Sequence, residues 1–160
     1  MADFSHLSER GQAQMVDTSS KIETLRVATV SNEVTVSSLC VDKLSSDMIR
    51  EISTSARIAG VFAAKKTSDT IPMCHPIAIT GCDIDIEFDK SNRKFFIQAT
   101  VKTTSNTGVE MEAFCASSGA ALTIYDMIKA VDPSAVIGPM ILIKKAGGKT
   151  GVWERHAKNS

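Results

Sequence analysis

The chain lacks a net charge, since eighteen basic residues balance eighteen acidic ones among 160. No overall field draws it to nucleic acid or to an anionic membrane, and a polyanion has to be bound by a local cluster. It also lacks any apolar run approaching the roughly eighteen residues of a membrane span. Its first thirty residues are polar, with no basic segment leading into an apolar one, so no export signal is expected. These absences predict a soluble, cytoplasmic protein that engages neither membrane nor nucleic acid. The four cysteines, Cys40, Cys74, Cys82 and Cys115, show no CxxC spacing, which favours free thiols in a reducing compartment over disulfides or zinc. There is no internal repeat, and the predicted strands carry no aromatic pattern of the kind that stacks RNA bases.

What is present fits one ordinary domain, because 43% hydrophobic residues in 160 suffice for a real core. Residues 1–14 read as a flexible N-terminal arm, 15–151 as the single domain, and 152–160 as a flexible tail. The β-branched stretch Val34 to Val41 predicts a strand. Ser45, Ser46 and Asp47 offer an N-cap for a helix to about Lys66, with Ile49, Ile52, Ala56, Ala59, Gly60 and Ala63 as its small apolar face. Ile71 to Pro76 forms a rigid connection, since each proline pushes its predecessor into extended geometry. Ile77 to Phe88 predicts a strand with a bulge at Thr80-Gly81, Asp89 to Asn92 a turn, and Phe95 to Val101 the second strand of a hairpin. A polar loop from Thr103 to Thr107 leads to a long helix between Gly108 and Asp132, and Val136 to Ile143 reads as a last strand. The order predicts an α+β fold, an antiparallel sheet with two long helices on one face, for which the split βαβ arrangement is the natural candidate.

The long helix sets Glu110, Glu112, Asp126 and Lys129 among Ala, Ser, Gly, Met, Leu and Ile. Asp126 and Lys129 are three apart, so they are neighbours on one face and can hold each other charged. That is also how an acid and a base are poised, although charges on the wet side of a core helix are the plainer reading. At about 1.5 Å and 100° per residue, Glu112 lies roughly 21 Å from Asp126 and points some 40° away. One small substrate touches both only if it is elongated, if the helix bends, or if a second copy of the chain supplies one of them. Small residues Ala113, Ala116, Ser117, Ala120 and Ala121 answer those of the first helix and permit close packing.

His75 stands between Cys74 and Pro76, either capping the next strand or forming part of a binding wall. A Cys-His nucleophilic pair is disfavoured, because adjacent residues on an extended chain point to opposite sides. Lys144 to Gly151 combines glycine amides with lysines, which suits anions. It is not a Walker A motif, which needs glycine where Ile143 stands and a helix after the threonine. The open readings are a glycine-rich lid carrying lysines and a basic tail.

Six segments then carry a resemblance: Met15-Val16-Asp17, Ala56 to Gly60, Ile71-Pro72-Met73-Cys74-His75-Pro76, Thr107 to Ala113, Leu122 to Ala130, and Gly147-Gly148-Lys149. In these the chain resembles the cyclic pyranopterin monophosphate synthases, the C proteins of molybdenum cofactor biosynthesis, over nearly its whole length. The resemblance implies a ferredoxin-like α+β fold and a homo-oligomer, a hexamer of three dimers with active sites at the dimer interface. It implies a lyase that rearranges (8S)-3′,8-cyclo-7,8-dihydroguanosine 5′-triphosphate into cyclic pyranopterin monophosphate and diphosphate, with no metal or redox cofactor. Carried over by position, Asp126 and Lys129 are the catalytic pair. Met73, Cys74, His75, Glu110, Met111, Glu112, Lys145 and Lys149 are the substrate-binding residues. Where the family usually has a Lys-Gly-Asp segment, this chain has Ile49-Arg50-Glu51, and arginine is a poor proton shuttle. Two rivals are a metal-dependent GTP-ring hydrolase, for which Cys74-His75 lacks companion ligands, and a non-catalytic ferredoxin-like oligomeric binding module, which leaves Asp126, Lys129 and the glycine-lysine tail without a purpose.

Overall fold

The computed structural model describes residues 4–148 and 151–155. Its main elements are strand β1 (Thr24–Thr35), helices α1 (Ser38–Lys43), α2 (Ser46–Lys65) and α3 (Thr67–Thr70), strands β2 (Gly81–Asp89) and β3 (Lys94–Ser105), helix α4 (Glu110–Ile128), and strands β4 (Val136–Ile137), β5 (Ile141–Ala146) and β6 (Trp153–Glu154). The sheet runs in the order β2-β3-β1-β5-β6 with β4 also on β1, and every pairing is antiparallel. The fold is α+β, with an antiparallel sheet as expected. No helix among the described residues is long and apolar enough to cross a membrane.

One face of the sheet is the core. Alternation along β1 buries Ala28, Val30, Asn32 and Val34, and directly opposite them on β3 lie Val101, Ala99, Ile97 and Phe95, all buried. Directly opposed residues point the same way, so these pairs form a single apolar layer. Helix α4 packs on β1 and β3, and α2 on β2 and α4. The helices approach where their side chains vanish. A Cβ on Gly60 would stand 2.4 Å from Ile84 Cδ1 and 2.7 Å from the Ala116 carbonyl oxygen, and one on Gly119 would stand 2.6 Å from Ala63 Cβ. Ala113, Ala116, Ala120 and Ala121 complete the seam at full burial.

Several boundaries differ from the sequence expectations. The first strand lies earlier than Val34 to Val41, because the Ser37 side chain accepts the Cys40 N–H and starts α1 there. The polar residues facing away from the core, Thr29, Ser31 and Glu33, mask the alternation that defines β1. No bulge interrupts β2. It begins at Gly81; just before it the Thr80 N–H donates to the Lys102 carbonyl at 2.9 Å, and Thr103 Oγ1 donates to the Ala78 carbonyl at 2.6 Å. The loop expected from Thr103 starts after Ser105. The last strand is split at Gly138, where φ is +118° and the following Pro139 has no N–H to give a ladder.

Asp132 ends the long helix in a way no sequence pattern announced. It is 2% exposed, and its carboxylate accepts the Ser37 N–H and the Ser134 hydroxyl, both at 2.6 Å. The Ser134 hydroxyl above all, then the Ser37 amide, holds its carboxyl below the ordinary value of 3.8. This ties the end of α4 to the start of α1.

Two outcomes are expected in urea unfolding. Gly60→Val forces the seam apart and costs about 1–3 kcal/mol or more. Asp132→Ala strands the Ser37 amide and costs about 1–3 kcal/mol at neutral pH. Because the folded carboxyl is depressed, that advantage of the wild type is present above pH 3.8 and shrinks as pH falls through the folded value.

Candidate active site

The connection from Ile71 to Ile79 crosses the start of α4. Cys74 N–H closes a turn onto the Ile71 carbonyl at 3.0 Å, so Met73, Cys74 and His75 are presented half-buried toward the first turn of the helix. Lys145 reaches the same place from β5, with its Nζ 3.0 Å from Glu110 Oε1. Together they form a cleft of about 330 Å³ lined by Met73, Cys74, His75, Glu110, Met111, Glu112 and Lys145, joined by His6, Val16, Lys21, Thr107 and Gly108. Seven of the eight substrate-binding residues expected from sequence thus share one cavity. The eighth, Lys149, lies outside the described residues.

Glu112 is the most constrained group there. It is 3% exposed, and among the described residues it has no salt-bridge partner. Burial pushes its carboxyl above the ordinary 4.5, its own backbone N–H opposes that, and the neighbouring Glu110 charge adds to the rise. Glu110 instead spends its charge on Lys145. Burial, then Glu112 and Cys115, pushes the Cys74 thiol up, so it is a protonated, polarizable wall rather than a nucleophile. The cleft therefore offers the apolar side chains of Met73 and Met111, with a buried carboxyl whose pKa is raised and an ion-paired lysine at its polar edge.

Asp126 and Lys129 are elsewhere. They pair with each other, Lys129 Nζ to Asp126 Oδ1, at 2.5 Å, with side chains 69% and 56% exposed respectively. The hydrogen bond and charge of Asp126 raise Lys129 above 10.5. No residue of this end of α4 lines the cleft, and Glu112 is buried where Asp126 is exposed. The two therefore do not share an environment, because the 71–79 connection covers only the helix start. Arg50 is not in the cleft either. It pairs with Asp47 at 3.0 Å on the surface, and Ile49 packs on the core.

Sequence reasoning gave no role to Asp17 and Lys21. Asp17 accepts the Ser19 N–H at 2.9 Å; that bond chiefly, with smaller help from Lys21 and His75, lowers its carboxyl. The segment Met15-Val16-Asp17 was the available signal, but a lone acid and a lone lysine in a polar stretch carry no spacing to read. Replacing Glu112 by Gln removes a carboxylate that the fold resists ionising. Its raised pKa makes wild-type stability fall as pH rises above 4.5. Glu112→Gln is therefore expected to be the more stable form at neutral pH, with the two proteins converging below pH 4.5; urea midpoints across pH check this.

Comparison with known proteins gives the family. The family model described as the MoaC family matches residues 15–148. A cyclic pyranopterin monophosphate synthase of Geobacillus kaustophilus is 49% identical over 159 residues, covering 97% of this chain and 98% of that protein. The protein of the same name from Halalkalibacterium halodurans is 48% identical over 161 residues, covering 98% of each. That from Thermoanaerobacter sp. (strain X514) is 48% identical over 156 residues, 96% of this chain and 99% of that one. With a match from Met15 to Gly148 that takes in all four helices and every strand up to β5, this chain belongs to the MoaC family.

Proposed function

We propose that this chain converts (8S)-3′,8-cyclo-7,8-dihydroguanosine 5′-triphosphate into cyclic pyranopterin monophosphate and diphosphate, as a cytoplasmic enzyme of molybdenum cofactor biosynthesis. The observation that carries the reading is the single cleft in which Met73, Cys74, His75, Glu110, Met111, Glu112 and Lys145 meet, in a chain similar over nearly its full length to synthases of that name. Met73 and Met111 flank the heterocycle, and Glu112 bonds its polar edge. His75 and Lys145, with Lys149, hold the phosphate nearest the ring and stabilise charge as the cyclic phosphate closes and diphosphate leaves.

Asp126 and Lys129 exchange protons with the ring as it opens and recloses. For this Lys129 must lose its proton at times, yet in the single chain Asp126 holds the lysine charged in full contact with water. Covering the pair would desolvate it and lower the Lys129 pKa. Leu122 stands 57% exposed on the same helical stripe, one and two turns before Asp126 and Lys129. Ile58 and Phe62 on α2 are 68% and 64% exposed. These apolar side chains suit cover by another copy of the chain. The active site then combines the cleft of one subunit with the Asp126–Lys129 end of another, within a hexamer of three dimers.

Incubation with the cyclised GTP intermediate should yield diphosphate and a pterin, detected by phosphate assay and fluorescence; a folded protein that forms neither contradicts the reading. Asp126→Asn and Lys129→Ala should each reduce turnover by about a hundredfold or more while the oligomer persists on size-exclusion chromatography. Mixing Asp126→Asn with Glu112→Gln under subunit exchange should restore roughly a quarter of wild-type activity, because half of the two-fold interfaces are mixed and each has one intact site. Persistent inactivity of exchanged mixtures would exclude the shared site.

A further inference from the structure

Residues 4–14 fold back on themselves beside the cleft. Leu7 and Ala13 form an antiparallel bridge, the Ser8 N–H donates to the Gln12 carbonyl at 2.8 Å, and the Gln14 N–H donates to the His6 carbonyl at 2.9 Å. Gly11, at φ +72°, lets the chain reverse, and the Gln14 side-chain amide closes onto the Leu7 carbonyl at 3.2 Å. Among the described residues, every hydrogen bond made by residues 4–14 stays within this hairpin. None of these residues is buried, and Phe4 stands 82% exposed. Firm attachment to the body comes later, at Thr18, which is 7% exposed and whose carbonyl accepts the Asn106 side-chain amide at 3.0 Å. The hairpin is thus a small pre-formed unit on a tether, and it precedes the stretch from Met15 that the family model matches.

One side of this unit faces the cleft. Ser5 and His6 line it together with His75, Glu110, Glu112 and Lys145. His6 is oriented by one ring nitrogen, for Nδ1 lies 3.2 Å from the Gln14 carbonyl oxygen. A carbonyl only accepts, so the proton of that bond sits on Nδ1 and Nε2 is the free position of the ring. Glu110 and Lys145 satisfy each other at 3.0 Å, whereas Nε2 of His6 has no hydrogen-bond partner among the described residues. The hairpin contributes nothing to the core, yet its own bonds hold an imidazole in one orientation at the wall of a binding cleft.

We propose that His6 is a substrate-contacting residue: its Nε2 hydrogen-bonds the molecule held in the cleft, and that bond fixes the hairpin of residues 4–14 against the body. The identity of the ligand rests on the synthase reading, and the contact itself does not. A ring derived from a nucleoside, with its ribose, carries N–H and O–H donors, and Nε2 of a neutral imidazole accepts one of them.

Two substitutions separate this contact from a structural role. Asparagine places an amide N–H near the position of Nδ1 and nothing at that of Nε2, whereas glutamine reaches the position of Nε2. His6→Asn therefore keeps the bond to Gln14 and should raise KM for the cyclised GTP intermediate about fivefold or more, with kcat near wild type. His6→Gln should recover part of the loss. A purely structural His6 gives the reverse order, with His6→Gln the worse. The second readout is tryptic cleavage after Arg10, beside Gly11 at the turn, followed by mass spectrometry in the Asp126→Asn protein, in which the substrate persists. Saturating substrate should slow that cut about tenfold or more, because a ligand that touches the hairpin stabilises it, and adding His6→Asn should cancel most of the protection. Since none of residues 4–14 is buried, these substitutions leave the core intact. A wild-type KM in His6→Asn, a His6→Gln protein worse than His6→Asn, or a cut after Arg10 that substrate does not slow each overturns the contact. Slowed cutting in a chain that forms no pterin keeps the contact and sinks the synthase reading, while pterin formation with unslowed cutting does the opposite.

Discussion

The close contact of α2 with α4 through Gly60 and Gly119 governs the rest of the molecule. Both glycines occupy positions where a single methyl group would overlap a neighbour, so the interaxial distance is set by backbone atoms. That closeness lets two helices cover one face of a sheet whose central strand, β1, is flanked by β3 and β5. It also fixes where the first turn of α4 ends up. Only with α4 seated this way do Glu110, Met111 and Glu112 meet the connection that carries Met73, Cys74 and His75, and only then does β5 deliver Lys145 to them.

The electrostatics of the cleft follow from that seating. Burial at the helix start raises the Glu112 carboxyl, while Glu110 is pulled into a pair with Lys145. The cleft consequently combines a buried carboxyl and an ion-paired lysine with two methionines. Along β1, Arg26 lies against the bare backbone of Gly148 and has no salt-bridge partner among the described residues. A chain of zero net charge thus separates its charges locally.

The far end of α4 is unlike its start. Asp126 and Lys129 are paired and in water, and Asp132, a few residues on, is locked by Ser37 and Ser134. The helix cannot readily bend to bring Asp126 to the cleft when its end is tied to α1 and its middle lies in a glycine-alanine seam. In the proposed reading a second subunit leaves both constraints intact, and Leu122, one turn before Asp126, is exposed.

Much of this was legible in the residues. The Ser45 cap, the small-residue faces, the hairpin at Asp89 to Asn92 and the family segments each depend on local chemistry, which a one-dimensional pattern preserves. The first strand was misplaced because its outward residues are polar and its inward set includes Asn32, so alternation blurred until β3 lay beside it. Arg26 and Lys21 were silent for a similar reason. A lone basic residue acquires meaning only from what lacks a charge around it, and that is a property of space. By itself the sequence determined the two long helices, the hairpin, their close contact and the family, because these follow from side-chain size, caps and ordered motifs. Only the tertiary structure decided which charges are paired and that Glu112 is buried and Asp126 is not, because burial and ion pairing depend on neighbours distant in sequence.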